Sequence, residues 1–417
     1  MKRRSVRELL KTLGPGVIAG AADDDPSGIA TYSIAGAQFG TSLLWMAVVS
    51  WPLMASVQAM CARIGMVTGG GLMSALRLRF PRRVLIVMSG ALLLTNTINI
   101  GADLSGMADA AELLTGINSH IFVIIFGVAI ALATVRLRYA SLANTLKWLA
   151  LVLLAYVITA FLVGPKWSQV AHATFVPHLP ERTAWSMIVA ILGTTISPYL
   201  FFWQASQEVE EEKAMGRNTI QKRQGATPQE MADRRMDIGA GTFVSNIAMF
   251  FIIQTTALTL HAHGMRDIST SREVATALEP LAGRFAKLLY AIGLIGTGAL
   301  AIPTLAGSAS YALSELFNWR QGIDETFRRA PKFYIVIVLA VIAGISMDFA
   351  NVSAIRAMYW SAVLNGLLAP FLLIGILMIA SDRKLMLDQP SSLLSRTVVA
   401  ITTIAMFGAA IAMFVVQ

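Results

Sequence analysis

The chain has 417 residues, 56% of them hydrophobic and 14% charged, against about 25% charged in a typical soluble domain. Several apolar runs exceed the roughly 20 residues that cross a bilayer, which excludes a soluble globular domain and implies a polytopic membrane protein. The net charge of +9 does not point to nucleic acid, because Lys and Arg concentrate in segments expected to face the cytoplasm.

The basic start, MKRRSVRELLK, is followed by an acid-interrupted apolar stretch without a small-residue cleavage site, and reads as a retained cytoplasmic segment. Eleven spans are expected, at about 12–39, 42–66, 84–114, 119–137, 143–164, 185–208, 237–261, 285–317, 332–348, 353–380 and 394–416. The stretch 165–184 is a polar and aromatic loop. A long charged loop covers 209–236, and its Thr227-Pro228-Gln229-Glu230 is a capping box able to start a short surface helix. With the N-terminus inside, all but seven of the 33 Lys and Arg fall on the cytoplasmic side, a bias that places the C-terminus outside. Cys61 is the single cysteine, so no intrachain disulfide forms, and it reads as a packed thiol.

Two of these spans are interrupted, the first and the sixth. Spans one to five and six to ten then have opposite orientations, and each set begins with its broken member. Paired interruptions in corresponding segments are the sequence mark of a transporter's binding site. The first break holds Asp23, Asp24 and Asp25, then Pro26, Ser27 and Gly28. Carboxylates at mid-bilayer depth are costly unless neutralised, paired or wet, and the Pro and Gly free backbone carbonyls. A simpler reading makes Asp25 the N-cap of the second half-helix, with Pro26 at its first position. The second break offers Thr194, Thr195 and Ser197 as neutral oxygens beside Pro198. There too a cap at Ser197 and hydroxyls bonded back to the preceding turn would explain the residues. Carboxylate, hydroxyl, carbonyl and water ligands suit hard ions such as Mg²⁺, Ca²⁺ or Mn²⁺, and neither break has Met, Cys or His at its core.

Other polar residues within spans are less specific. Asn96, Asn99, Asp103 and Asp109 lie near one face of the third span and either line an ion path or sit in a wet vestibule. Asn365 is a site residue or a helix–helix hydrogen bond. Glu208, Glu210, Glu211 and Glu212 form a solvated helix end or a cation exit funnel. The five His lie outside the spans or at their edges, which leaves little support for a His proton relay.

The chain resembles the NRAMP divalent-metal transporters across most of its length, on GPG…DPSG…AGAQFG in the first span, LLWMAV…CARIGMVTGG at the second and NGLLAPFLLIGIL in the tenth. The resemblance implies the LeuT-type all-α membrane fold. That is two inverted five-helix repeats, here 12–164 and 185–380, plus an eleventh helix at 394–416. The family's first-span motif is Asp-Pro-Gly-Asn, with metal on the Asp and Asn. Here Asp25 keeps the acid, while Gly28 stands where the amide ligand would be. The sixth-span motif is Ala-x-x-Met-Pro-His. Here Thr194, Ser197 and Tyr199 take the Ala, Met and His positions, and Gln204 matches a second His. The family's third-span acids fall near Asn96 and Asn99, so proton coupling of the family type is not expected. Loss of the Met sulfur removes the thioether that favours transition metals, and the pattern looks like the divergent branch associated with Mg²⁺.

The expectation is therefore a multi-pass inner-membrane transporter of hard divalent cations, Mg²⁺ first and Mn²⁺ next, working by alternating access. Asp25 supplies charge, and Asp24, Thr194, Ser197 and Gly28 complete the metal site, with Asn96, Asn99, Tyr199 and Gln204 along the ion path. No resident cofactor, nucleic acid or obligate protein partner is implied. A Na⁺- or H⁺-coupled carrier of a small organic solute and a non-transporting binding protein remain the other classes. No P-loop, Rossmann fingerprint or nucleophile–base pair suggests an enzyme.

Overall fold

The computed structural model describes residues 20, 22–137, 152–177, 182–350 and 352–416. Among them the regular elements are all helical. α1 (Pro26–Phe39) starts at the expected break and ends at Gly40. α2 (Trp45–Thr68) and α3 (Arg82–Thr115) each stop at a left-handed glycine, Gly69 at φ 69° and Gly116 at φ 73°, where a side chain would strain the backbone. α4 (Ser119–Arg136) is capped by Asn118. α5 (Leu154–Val163) is the described end of the fifth span, whose beginning lies outside the described residues, as do residues 12–19 of the first. The sixth span divides into α6a (Ala184–Thr195) and α6b (Pro198–Ala214). Then come α7 (Pro228–Thr259), α8 (Ala286–Phe317), α9 (Pro331–Asp348), α10 (Ala354–Ser381) and α11 (Leu393–Val415).

Nine spans among the described residues are long and apolar enough to cross a membrane, with α6a and α6b counted together. α1 and α5 bring the set to the eleven expected. Exposed Val87, Leu94, Ile404 and Phe414 mark the outer, lipid-facing flank.

Two stretches read as loops are more regular than expected. The capping box at Thr227 and Glu230 does form, but it opens α7 itself rather than a separate surface helix. No proline follows Pro228 before Thr259, so nothing stops the helix before it enters the membrane. The loop expected at 165–184 contains a short helix, Trp167–Phe175.

Close backbone crossings fix the central helices. A Cβ on Gly193 of α6a would lie 2.0 Å from the Ala362 carbonyl oxygen, and one on Gly366 of α10 would lie 2.3 Å from the Val189 carbonyl oxygen. A Cβ on Gly36 of α1 would meet Thr256 and the Ile253 carbonyl of α7 at 2.0 and 2.3 Å. Small residues let membrane helices approach this closely, where lipid tails provide no hydrophobic drive between them.

The Glu residues ending α6b are ion-paired rather than open to solvent. Arg234 of α7 reaches Glu208 at 2.7 Å, Asp237 at 2.8 Å and also Glu211. Glu210 pairs with Lys213 at 2.9 Å, and Glu212 with Arg217 at 3.6 Å. One guanidinium thus latches α6b to α7. Arg234→Ala leaves buried Glu208 and Asp237 without it, and is expected to cost about 3–5 kcal/mol. Thermal unfolding in detergent measures this as a lowered midpoint, whereas an unchanged midpoint would mean the cluster is held otherwise.

Candidate functional site

Asp23, Asp24 and Asp25 are buried, each at 4% exposure or less. Helix is interrupted at Asp24 and Asp25. Asp25 has extended backbone, φ −69° and ψ 169°, and its Oδ1 accepts the Gly28 N–H at 2.7 Å, as an N-cap does. Capping uses only one of its oxygens. Oδ2 accepts from Asn99 Nδ2 of α3 at 2.9 Å.

Two residues on, Ser27 also bonds to α3. Its N–H and hydroxyl donate to Asp103 Oδ1 at 3.2 and 2.8 Å. Its Oγ also lies 3.1 Å from Ser361 Oγ of α10. The Asn99 amide is 3.5 Å from Asp103 Oδ2, so it stands between two carboxylates. On the other flank, Asp23 Oδ2 and Asp24 Oδ1 lie 2.8 and 3.0 Å from Ser245 Oγ of α7. That hydroxyl has a single proton for two acceptors.

Among the described residues, no Lys, Arg or His forms an ion pair with Asp23, Asp24, Asp25 or Asp103. A buried charge without a counter-charge costs several kcal/mol, and four together cost more. The described residues place no balancing positive charge beside these acids, so the cluster suits protons or a cation. The described residues contain no converging trio of His, Cys, Asp or Glu of the kind that encloses a bare metal ion. Carboxylates here alternate with hydroxyls, an amide and backbone.

The second break adjoins the first. A Cβ on Gly28 would sit 2.9 Å from Thr194 Oγ1, which puts the last turn of α6a against the first turn of α1. Tyr199 donates its hydroxyl to the Ala22 carbonyl at 2.9 Å, tying α6b to the chain just before the acids. Pro26 and Pro198 occupy the first positions of α1 and α6b. Ser197 turns its hydroxyl back to the Gly193 and Thr194 carbonyls at 2.8 and 2.7 Å, and Thr195 does likewise to Ile191 at 2.8 Å. These protons are used within the helix, but the oxygens keep lone pairs.

Asp24, Asp25, Ser27, Gly28, Asn99, Thr194 and Tyr199 are thus brought to one place. Asn96 is elsewhere: it donates to the Leu305 carbonyl and Ser308 of α8, at 2.9 and 2.8 Å. Gln204 donates to Glu208 at 2.7 Å and belongs to the Arg234 latch. Asp109 accepts from the Ser271 N–H at 3.2 Å.

Three members of the cage stood outside the site as read from sequence. Asp103 is one of three acids on the third span, with Asp109 and Glu112, and its spacing of four from Asn99 is the signal that links it to the break. Ser245 and Ser361 are ordinary serines within their helices and carry no such signal. Ser245→Ala removes the hydroxyl that, among the described residues, lies between Asp23 and Asp24. Its effect is expected on cation uptake, with apparent affinity about tenfold weaker, since a hydrogen bond to a charged group contributes about 1.5–3 kcal/mol. A titration of initial rate against cation concentration reads it.

Comparison with known proteins supports the same architecture. The family described as Natural resistance-associated macrophage protein-like (Nramp) matches residues 16–416. A divalent metal cation transporter, MntH, from Yersinia enterocolitica is 25% identical over 396 residues, 94% of this chain and 91% of the relative. MntH from Pectobacterium carotovorum is 25% identical over 343 residues, 80% of each. The crystal structure of a manganese transporter from Eremococcus coleocola superposes with a TM-score of 0.77 at 20% identity, covering 97% of this chain and 86% of that one. Mhp1, a nucleobase-cation-symport-1 family transporter, gives 0.59 at 14% identity over 96% and 90%.

Proposed function

The chain belongs to the Nramp family, and from that premise we propose that it carries a hard divalent cation across the membrane, Mg²⁺ ahead of Mn²⁺. The observation behind this reading is the set of four buried carboxylates with no ion-paired basic side chain among the described residues, placed where two interrupted helices meet. The named relatives are divalent-metal and manganese transporters, in keeping with a doubly charged cargo. Mhp1 shares the fold, so fold alone does not choose between a metal ion and an organic solute. The acids favour the metal.

The preference for Mg²⁺ rests on the donors. Every polar group in the hydrogen-bonded cage presents oxygen or an amide, with Ser197 and Tyr199 at the second break, and among the described residues no sulfur takes part in those bonds. Mg²⁺ dehydrates reluctantly and keeps several waters. A cage of hydroxyls and amides between carboxylates can hold such a hydrated ion by hydrogen bonds. Asp25, with Asp24, Gly28, Thr194 and Ser197, forms the metal site in this reading, joined by Asp103 through Ser27. The two repeats run 12–164 and 185–380, the N-terminus lies in the cytoplasm and the C-terminus outside, and each broken helix opens to alternate sides.

Uptake into proteoliposomes under an inside-negative potential tests this. Expected is saturable Mg²⁺ entry, with Mn²⁺ competing. Entry of neither ion, in vesicles that contain folded protein, would remove the proposal. Mn²⁺ entry that excess Mg²⁺ does not inhibit would reverse the preference.

A further inference from the structure

A groove away from the acidic cage, between α2, α7 and the start of α11, has a cavity of about 450 Å³. At one end Arg63, Arg235 and Ser391 line it. Away from them it runs along α2 past Ala59 and Ala55 to Trp51. From residue 63 back to 51 is about 18 Å at the helical rise, similar to the roughly 15 Å of hydrocarbon in one leaflet. No Asp or Glu lines the cavity.

Arg234 also borders the groove, but Glu208, Glu211 and Asp237 already balance its charge. Arg63 and Arg235 have no carboxylate partner among the described residues. Arg63 spends Nη1 on the Gln389 and Pro390 carbonyls, at 3.1 and 3.3 Å, which anchors the side chain and leaves its other N–H groups. Ser391 is 3% exposed, and its Oγ finds no hydrogen-bond partner among the described residues. Beside it Ser392 caps α11, whose first-turn N–H groups add partial positive charge. The groove therefore joins a cationic, hydrogen-bonding end to an apolar length.

We propose that this groove binds an anionic phospholipid, its phosphate held by Arg63 and Arg235 with Ser391, and one acyl chain lying along Ala59, Ala55 and Trp51. The inference rests on the membrane placement of the helices and not on the identity of the transported ion. Both ends of such a ligand are matched. A free phosphate would use the polar end and leave the apolar length unfilled.

The test is native mass spectrometry of the full chain released from nanodiscs of equimolar phosphatidylglycerol and phosphatidylcholine. Wild-type protein is expected to retain phosphatidylglycerol about tenfold over phosphatidylcholine, since each basic residue near an anionic surface contributes appreciably. The preference is expected to fall toward unity in Arg63→Gln/Arg235→Gln, and millimolar inorganic phosphate should not displace the lipid. Equal retention of the two lipids by wild type would overturn the proposal, as would an unchanged preference in the double variant. Displacement by inorganic phosphate would reassign the groove to small anions and overturn it too. Arg235→Gln alone covers the case in which the double variant fails to fold, because exposed Arg235 forms no side-chain bond within the described protein; the lipid preference must fall there as well.

Discussion

Asp25→Asn is expected to leave the protein folded and to reduce divalent-cation uptake at least about thirtyfold. Two roles converge on this carboxylate, and the substitution separates them. Asn caps helices about as well as Asp, so the contact to the Gly28 N–H, 2.7 Å in the native chain, survives. The charge does not. Removing one partner from a buried charge interaction commonly costs 2–5 kcal/mol, and 2 kcal/mol is already about thirtyfold. Asp25→Ala takes away the cap as well and adds about 1 kcal/mol of destabilisation. Uptake rate and thermal midpoint, measured on both variants, distinguish the roles. Wild-type uptake by Asp25→Asn would reduce Asp25 to a cap and take the central charge out of the proposed site.

The second large effect is expected at Gly193. A Cβ there meets the Ala362 carbonyl oxygen at 2.0 Å and the Gly366 nitrogen at 2.3 Å. These are backbone atoms, so no rotamer change makes room. Gly193→Leu must push α6a from α10 and is expected to cost more than the 1–3 kcal/mol of ordinary overpacking. Little folded protein should elute at the native position in size-exclusion chromatography. Gly90 is the control, because nothing lies within 4 Å of a Cβ built there; Gly90→Leu should elute normally. If Gly193→Leu elutes like wild type, the crossing is wider than described.

The legible parts of this chain are those governed by local chemistry. Pro26 and Pro198 mark their breaks because proline both ends one helix and suits the first position of the next. Asp25 can be read as a cap and as a site acid, and its two oxygens serve a cap and Asn99 separately. What the linear chain hides is rotation about each helix and depth along it. Asn96 and Asn99 are three residues apart, yet one faces α8 and the other faces Asp25. Arg234 reads as one of many charges in a loop, because nothing local says that α7 begins at Pro228. Ser245 and Ser361 come from distant spans and enter the cage only through tertiary packing.

The touching peptides of α1 with α7, and of α6a with α10, limit how the machine can move. A helix that rests backbone on backbone cannot slide along its neighbour without climbing over a carbonyl. It can still tilt about the point of touch. In the proposed transport cycle the close approaches at Gly36 on one side and at Gly193 with Gly366 on the other would act as fulcrums, so that a tilt of a few degrees there would become ångströms of opening at the far ends of the levers.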